Sequence, residues 1–378
     1  MRKFFSVFMA GFLLLSITGC GKAALPEITG NPDDTSDAVQ PVDSDSAATP
    51  AWPNDSWSTS SPEKQGVNPE MLASSDKQIK DNYPNVYSLL VVRHEYLVYE
   101  KYYNGMAEND ANPVYSVTKS VMSALTGIAK RDGLIENTDQ KLSDIFPEYF
   151  TQIDDTQKKD ITIQNVLTMT GGLENIYNDY YSYFMSPDLL DYVLKKPLTD
   201  KPGEKFVYNT GLTHFLSAII SNGSGISTQD YADENLFSKI GISVNYWESD
   251  NAGINIGGFG INMKPQDMLK FGLLYLHNGL WDGTQVIPAD WTKESTQKQI
   301  AVNAETDYGY LFWLQTVPDT ANSKEYLTYR ASGMGGQYIM VIPELDMVAV
   351  VTADENTPSK DGSDTLRIIM DYVIPAAE

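Results

Sequence analysis

Runs of β-forming residues predict β-strands near both ends of the chain. Two β-rich runs, residues 87–93 and 96–103, flank a short polar turn and predict an antiparallel hairpin. Residues 308–316 are aromatic and alternating, and runs 337–342 and 347–353 predict a second hairpin. Strands at both ends with helices between them indicate one antiparallel-dominated sheet, completed by the N- and C-terminal segments.

Helical spacing dominates the middle of the chain. Residues 116–131 are apolar on one helical face, two basic residues lie in the last turn, and Gly133 follows as a C′ glycine. Short helical segments and loops from about 134 to 250 predict an inserted helical lobe, and a closing helix is predicted at 364–374. We expect a ligand site in the cleft between sheet and lobe.

The N-terminus has the pattern of an export signal. Two basic residues precede an apolar run, Phe4 to Ile17, that is too short to span a bilayer with margin. The run Ile17-Thr18-Gly19-Cys20 resembles a bacterial lipobox, in which Cys20 is acylated after cleavage. Residues 1–19 are then a lipoprotein signal peptide; an ordinary signal peptide that ends near a cysteine is the alternative. We expect an exported protein, lipid-anchored to the bacterial cell membrane, with its domain on the extracytoplasmic side.

Composition separates a linker from a folded domain. Residues 20–57 are rich in Asp, Ser, Thr, Pro and Ala, which predicts a lipidated cysteine followed by a disordered acidic linker. Residues 58–378 are predicted to form the folded domain. The net charge of −23 makes nucleic acid an unfavourable partner, and the single cysteine excludes an internal disulfide. The oligomeric state is left open.

A serine three residues ahead of a lysine occurs four times. The four pairs are Ser61-Lys64, Ser74-Lys77, Ser116-Lys119 and Ser295-Lys298. Only Ser116 opens a strongly apolar helix, where the pair lies on one face and burial would let Lys119 accept the serine proton. The helix N-terminus also favours negative charge near Ser116. The alternative is that Ser116 is an N-cap and Lys119 a surface residue.

Three further segments follow Ser116 and Lys119 along the chain. They are residues 161–173 (Ile-Thr-Ile-Gln-Asn-Val-Leu-Thr-Met-Thr-Gly-Gly-Leu), residues 202–209 (Pro-Gly-Glu-Lys-Phe-Val-Tyr-Asn) and residues 257–291. Over roughly residues 58–375 the chain resembles the serine β-lactamase-related hydrolases, which include class C β-lactamases, D-alanyl-D-alanine carboxypeptidases, esterases and aminohexanoate-dimer hydrolases. The resemblance implies an α/β (α+β), β-lactamase/transpeptidase-like fold, with helices flanking the sheet and an inserted helical lobe.

Roles follow from this resemblance position by position. Ser116 would be the acylated nucleophile, Lys119 its base partner, and Tyr208 the group that moves protons between them and the leaving group. A nearby ammonium would lower the pKa of that phenol; the alternative for Tyr208 is a buried aromatic with a satisfied hydroxyl. The family has asparagine two residues after the tyrosine, whereas this chain has Thr210 there and Asn209 one position earlier. Both are predicted to contact substrate.

The third family motif lacks its cation. The family has Lys or His, then Ser or Thr, then Gly, and the nearest counterpart here is Ala331-Ser332-Gly333. Arg330 could replace the cation only from the opposite face of the strand. This departure argues against efficient β-lactam turnover. Ser332, Gly333 and Met334 remain predicted substrate or oxyanion contacts, with the N–H of Met334 joining that of Ser116.

The sequence gives little support to other catalytic mechanisms. No G-x-S-x-G elbow occurs, and His94, His214 and His277 are isolated, so neither a Ser-His-Asp triad nor a metal or cofactor is expected. The aromatic run 177–184 is consistent with lobe packing or with a wall of the cleft. Two hypotheses remain: a serine hydrolase acting on a small-molecule or peptide substrate (an ester, an amide or a D-amino-acid peptide), and a catalytically weak or inactive envelope-binding or sensor protein.

Overall fold

The computed structural model describes residues 51–54, 56–319 and 323–377. The predicted signal peptide, Cys20 and most of the predicted linker lie outside the described residues. The ring of Trp52 packs 4.9 Å from both His277 and Trp281, measured between ring centroids. The predicted boundary at residue 58 therefore falls inside a segment that already packs against the domain. Among the described residues, no helix is both long and apolar enough to cross a bilayer.

The strands are short at the middle of the chain and long at its ends. They are β1 (Val86–Arg93), β2 (Tyr96–Tyr102), β3 (Asn112–Pro113), β4 (Asn262–Met263), β5 (Leu280–Trp281), β6 (Thr284–Gln285), β7 (Ile300–Ala301), β8 (Thr306–Tyr308), β9 (Trp313–Asp319), β10 (Lys324–Gly333), β11 (Gln337–Ile342) and β12 (Met347–Ala353). Within the described residues, one antiparallel sheet has the order β2-β1-β12-β11-β10-β9-β8-β7. The N-terminal hairpin thus pairs with the last strand, as predicted.

The helices are mostly brief. They are α1 (Pro69–Asn82), α2 (Val117–Arg131), α3 (Leu142–Ile145), α4 (Pro147–Phe150), α5 (Ile163–Leu167), α6 (Tyr180–Phe184), α7 (Leu189–Lys195), α8 (His214–Ser224), α9 (Thr228–Ala232), α10 (Pro265–Leu276), α11 (Ala289–Ser295) and α12 (Leu366–Ile368). Helices α3 to α9 make up the predicted helical lobe. The predicted closing helix is present as α12 and continues as a π-helical turn, Ile369–Val373.

The sheet separates two hydrophobic cores. Along β12, Val348 and Val350 face the larger core, which contains α2 and the lobe, whereas Met347 and Ala349 face a smaller core with α1 and the C-terminal helix. Because both faces are covered, β12 is apolar throughout rather than alternating. Helix α2 is buried along residues 117–129, as expected of a helix that is enclosed on all sides.

One predicted strand is broken. Residues 308–316 are not continuous, because the chain leaves β8 after Tyr308 and enters β9 only at Trp313. Between them, Leu311 has φ of +62°, and a Cβ built on Gly309 would lie 2.2 Å from the carbonyl oxygen of Ser295. The close approach to helix α11 forces this kink, so alternation alone could not reveal it.

Candidate active site

The predicted nucleophile lies at a strained entry into α2. Tyr115, directly before it, has φ of +48°, which is unfavourable for a residue with a side chain. The N–H of Val114 donates to the carbonyl of Ile261 at 2.9 Å, and the Ser120 hydroxyl donates to the carbonyl of Leu311 at 2.7 Å. These two contacts bracket Ser116 and fix the first turn of the helix.

The structure distinguishes the four serine–lysine pairs. Ser116 makes no N-cap hydrogen bond; instead its Oγ lies 2.9 Å from the Nζ of Lys119. In the equally helical pair of α1, by contrast, the Ser74 hydroxyl donates to the carbonyl of Glu70, and Lys77 forms an exposed ion pair with Asp81. In the other two pairs, no hydrogen bond joins serine and lysine among the described contacts: Ser295 donates to Thr292, and Lys298 pairs with Asp307.

Lys119 is a buried amine held by two partners. Its side chain is enclosed in the larger core, with the residue 1% exposed, and Nζ donates to the carbonyl oxygen of Gly258 at 2.7 Å. Burial lowers the pKa of the Lys119 amine from 10.5 to about 7, because a charge is poorly solvated there. A large fraction of this amine is therefore neutral at physiological pH and can accept a proton from Ser116.

Tyr208 is the third residue of the cluster, beside Ser116 and Lys119. Its ring centroid lies 4.9 Å from the Nζ of Lys119, and its hydroxyl lies beside the Ser116 side chain. The ring stacks on Tyr177 at 6.4 Å and on Trp313 at 5.6 Å. Burial, and then the neighbouring Tyr177, raise the pKa of the Tyr208 hydroxyl. The expected lowering of this pKa by an ammonium is thus wrong in direction, and the protonated form of the phenol is favoured.

The end of β10 approaches the same segment. A Cβ built on Gly333 would lie 2.3 Å from the carbonyl oxygen of Val114, so only glycine allows this approach. Met334 follows, with its side chain 61% exposed. Ser332 and Arg330 pair in register with Tyr338 and Met340, whose side chains belong to the smaller core.

Neither the hydroxyl of Ser332 nor the guanidinium of Arg330 therefore faces Ser116. The Ser332 Oγ is buried without a hydrogen-bond partner among the described residues, and Arg330 donates to Gln315. The structure thus corrects the expectation that the Ser332 side chain contacts substrate. Arg330 does not replace the missing cation, whereas the backbone of Gly333 lies against Val114, two residues before Ser116.

Comparison with known proteins decides the family. A family model described as Beta-lactamase matches residues 81–373, which include every residue of the cluster. The chain belongs to the Beta-lactamase family. No curated protein matches it significantly.

Solved structures of this family share the fold at low sequence identity. A Bacillus anthracis protein, named provisionally as a 6-aminohexanoate-dimer hydrolase, is 23% identical over 80% of this chain and 81% of that chain, with a TM-score of 0.67. EstCE1, described as a hydrolase with promiscuous acyltransferase activity, is 15% identical over 84% and 98%, also with a TM-score of 0.67. A penicillin binding protein from Bacillus halodurans is 16% identical over 74% and 94%, with a TM-score of 0.58. The predicted family and fold are confirmed.

The two positions after the tyrosine depart from the family in different ways. Asn209 is wholly buried, where its amide donates to the carbonyls of Leu173 and Glu174 and its oxygen accepts from two backbone N–H groups. The structure therefore does not bring Asn209 into the site, contrary to expectation. Thr210 is buried, and its hydroxyl lies 3.0 Å from the hydroxyl of Tyr177.

The aromatic run divides between two environments. Tyr183 is buried in the lobe, as packing predicts, whereas Tyr177 is 49% exposed beside Tyr208, as a cleft wall requires. Tyr180 extends this wall, stacking on Tyr177 with ring centroids 6.3 Å apart.

Sequence reasoning missed one part of the site. Gly258, which holds Lys119, gave no signal beyond a pair of adjacent glycines. Its contact with Lys119 depends on a loop that meets helix α2 only in the folded chain. His214 is a buried residue whose ring lies 3.0 Å from Asp250, as expected of a structural histidine with its hydrogen bonds satisfied.

Proposed function

We propose that this member of the Beta-lactamase family is a serine hydrolase that works through an acyl-enzyme on Ser116. The observation that carries the proposal is the 2.9 Å contact between Ser116 Oγ and the buried amine of Lys119. Membership of the family supports a hydrolase in general. Tyr208, whose hydroxyl lies beside the Ser116 side chain and whose ring centroid is 4.9 Å from the Lys119 amine, is the third member that such a mechanism needs.

The chemistry follows from these protonation states. Neutral Lys119 takes the proton of Ser116 as Oγ bonds to the substrate carbonyl carbon and the carbonyl electrons move to its oxygen. The backbone N–H groups of Ser116 and Met334 are the proposed donors to that oxyanion. Collapse breaks the bond to the leaving group, which takes a proton relayed from Lys119 through Tyr208. Water, deprotonated by the same amine, then cleaves the acyl-enzyme and restores Ser116.

We propose uncharged esters and amides as the substrate class. The family's cationic position is Ala331 here, and Arg330 lies on the other face of the sheet, so the groups described around Ser116 offer no obvious partner for a substrate carboxylate. The exposed face of Tyr177 beside Tyr208 instead offers an apolar surface for an acyl or leaving group.

A fluorophosphonate probe tests the nucleophile. We expect one adduct on the peptide that contains Ser116, and its loss in Ser116→Ala. The matched control is Ser74→Ala, which removes a serine with the same spacing to a lysine on an exposed helix and should leave labelling unchanged. Absence of any adduct in the folded wild-type protein would refute the hydrolase and favour the envelope-binding or sensor hypothesis.

A substrate panel then tests the class. p-Nitrophenyl esters and linear amide dimers should be hydrolysed, whereas nitrocefin and D-Ala-D-Ala peptides, which carry a free carboxylate, should react more slowly. Faster turnover of the carboxylate-bearing compounds would show that another group replaces the cation.

We also propose that the protein is an exported lipoprotein anchored through Cys20. The lipobox-like run and the single cysteine support this proposal. Cys20→Ser should release the protein from the membrane fraction and abolish incorporation of labelled fatty acid, whereas an ordinary signal peptide would leave both unchanged.

A further inference from the structure

A buried histidine–aspartate pair lies behind the catalytic lysine. His214 begins α8 and has no exposed surface; its Nε2 lies 3.0 Å from Oδ2 of Asp250. On the other side of the ring, the N–H of Gly257 donates to Nδ1 at 3.3 Å. A backbone N–H can only donate, so Nδ1 must carry the lone pair and Nε2 the proton. These two partners therefore fix His214 as a neutral ring in one tautomer.

Asp250 is itself held in place. Its Oδ1 accepts the backbone N–H groups of Ala252 and Ile254, each at 2.9 Å, which leaves Oδ2 for the imidazole. A continuous series of hydrogen bonds thus runs from this loop through His214 to the peptide of Gly257.

That peptide adjoins the carbonyl that holds Lys119. Gly258 follows directly, and its oxygen accepts from Nζ at 2.7 Å. A Cβ on Gly257 would lie 2.3 Å from the carbonyl oxygen of Thr213, and one on Gly258 would lie 2.6 Å from Cγ2 of Thr210. With no side chains available, only backbone hydrogen bonds and close packing can set the direction of this carbonyl.

We propose that His214, oriented by Asp250, is a positioning residue for Lys119. It fixes the Gly257–Gly258 backbone, whose carbonyl engages one N–H of the amine and so turns the lone pair towards Ser116. The inference rests on the proposed acyl-enzyme mechanism. His214 itself contacts neither Ser116 nor Tyr208 among the described hydrogen bonds, so its effect is indirect.

Two substitutions of His214 separate its two bonds. The side-chain oxygen in His214→Asn can occupy the place of Nδ1 and keep an acceptor for Gly257, although the contact with Asp250 is lost. The longer amide in His214→Gln can reach Asp250 but leaves Gly257 without its acceptor. Both variants remove the buried ring, so a purely structural role predicts similar losses of thermal stability and of rate.

The assay is the rate constant for Ser116 modification at saturating fluorophosphonate, with kcat and KM for a p-nitrophenyl ester and the melting temperature. We expect His214→Gln to slow acylation by about tenfold or more with KM unchanged, and His214→Asn to stay near the wild-type rate. Equal rates in the two variants, or rates that follow melting temperature alone, would overturn the positioning role. A wild-type protein that is not labelled at all would overturn the proposed function as well, which distinguishes the two failures.

Asp250→Asn supplies a second test with little change of shape. The orientation that keeps the backbone N–H bonds of Ala252 and Ile254 turns the new NH2 group towards Nε2 of His214, which favours the other histidine tautomer and disrupts the bond to Gly257. We expect a loss of about tenfold in acylation for Asp250→Asn alone, but little further loss in the His214→Asn background. Additive effects in this double-mutant cycle would contradict coupling through the imidazole.

Discussion

Replacing Lys119 by methionine measures directly how unfavourable the buried ammonium is. The two side chains are similar in length, and methionine has no charge to desolvate. In the folded protein, burial lowers the pKa of the Lys119 amine to about 7, against 10.5 for an exposed lysine. Between these two pH values the unfolded chain holds a proton that the folded chain has lost, so the stability of the wild-type protein rises with pH.

The magnitude follows from the difference between the two pKa values. At about 1.36 kcal/mol per pH unit, the wild-type protein should lose roughly 5 kcal/mol of unfolding free energy, relative to Lys119→Met, as the pH falls from about 10.5 to about 7. Below the folded pKa both states are protonated, and the difference should become constant.

Urea unfolding of both proteins from about pH 6 to about pH 9 is the assay, because titrations common to both cancel in the difference. Over the roughly two pH units above 7, the difference should change by about 3 kcal/mol. The control is Lys77→Met, at an exposed lysine paired with Asp81, where the difference should change little. A wild-type minus Lys119→Met difference that does not vary with pH would show that the buried amine keeps its ordinary pKa. It would also remove the reason for assigning Lys119 as the base.

Further predictions concern activity, substrate preference and stability. The kcat/KM of the wild-type protein should rise with pH through about 7 as Lys119 becomes neutral, and a profile that is flat there would exclude this amine as the base. Tyr208→Phe should lower kcat by about 10²-fold or more with little change in melting temperature, and an unchanged kcat would exclude the hydroxyl as a donor. Tyr177→Ala should raise KM for aromatic esters more than for acetyl esters, whereas equal effects would contradict an apolar wall. Gly172→Ala should destabilise the fold by about 2 kcal/mol or more, since φ is +73° and the new Cβ would lie 2.0 Å from the carbonyl oxygen of Asp200; an unchanged urea midpoint would refute this.

The strands that could be predicted from the sequence are those in which successive residues are buried in the same way. β1, β11 and β12 are covered on both faces, so runs that are mostly apolar mark them. The break after Tyr308 could not be predicted, because it arises from contact between Gly309 and the end of α11. The contact forms only in the folded chain, and its one visible sign in the sequence is Gly309.

The candidate site likewise has one part that the sequence predicts and another that it does not. Ser116 and Lys119 share one helix, so their spacing and the apolar helix around them are visible locally. What separates them from Ser74 and Lys77 is burial by other parts of the chain. Gly258 belongs to a distant loop, and no local pattern indicates that its carbonyl meets Lys119.

No local pattern predicts β10, and only the family motif implies a strand at Ser332. Alternation from Ala331, which lies in the larger core, already places the next side chain on the other face. The family motif suggested a substrate contact, and the geometry of the strand excluded it for the side chain.

The order of the strands also determines how much of the chain must be synthesised before the sheet can form. Val86 pairs with Ala353, so the first long strand, which pairs with β2 on one side, finds its second partner only in the last strand. Loop closure over nearly the whole domain precedes this contact, which is a property of slowly folding topologies. A chain still being synthesised can make the β1–β2 hairpin but cannot close the sheet around it. A chain that lacks β12 should therefore be an aggregation-prone, protease-sensitive polypeptide rather than a smaller folded domain.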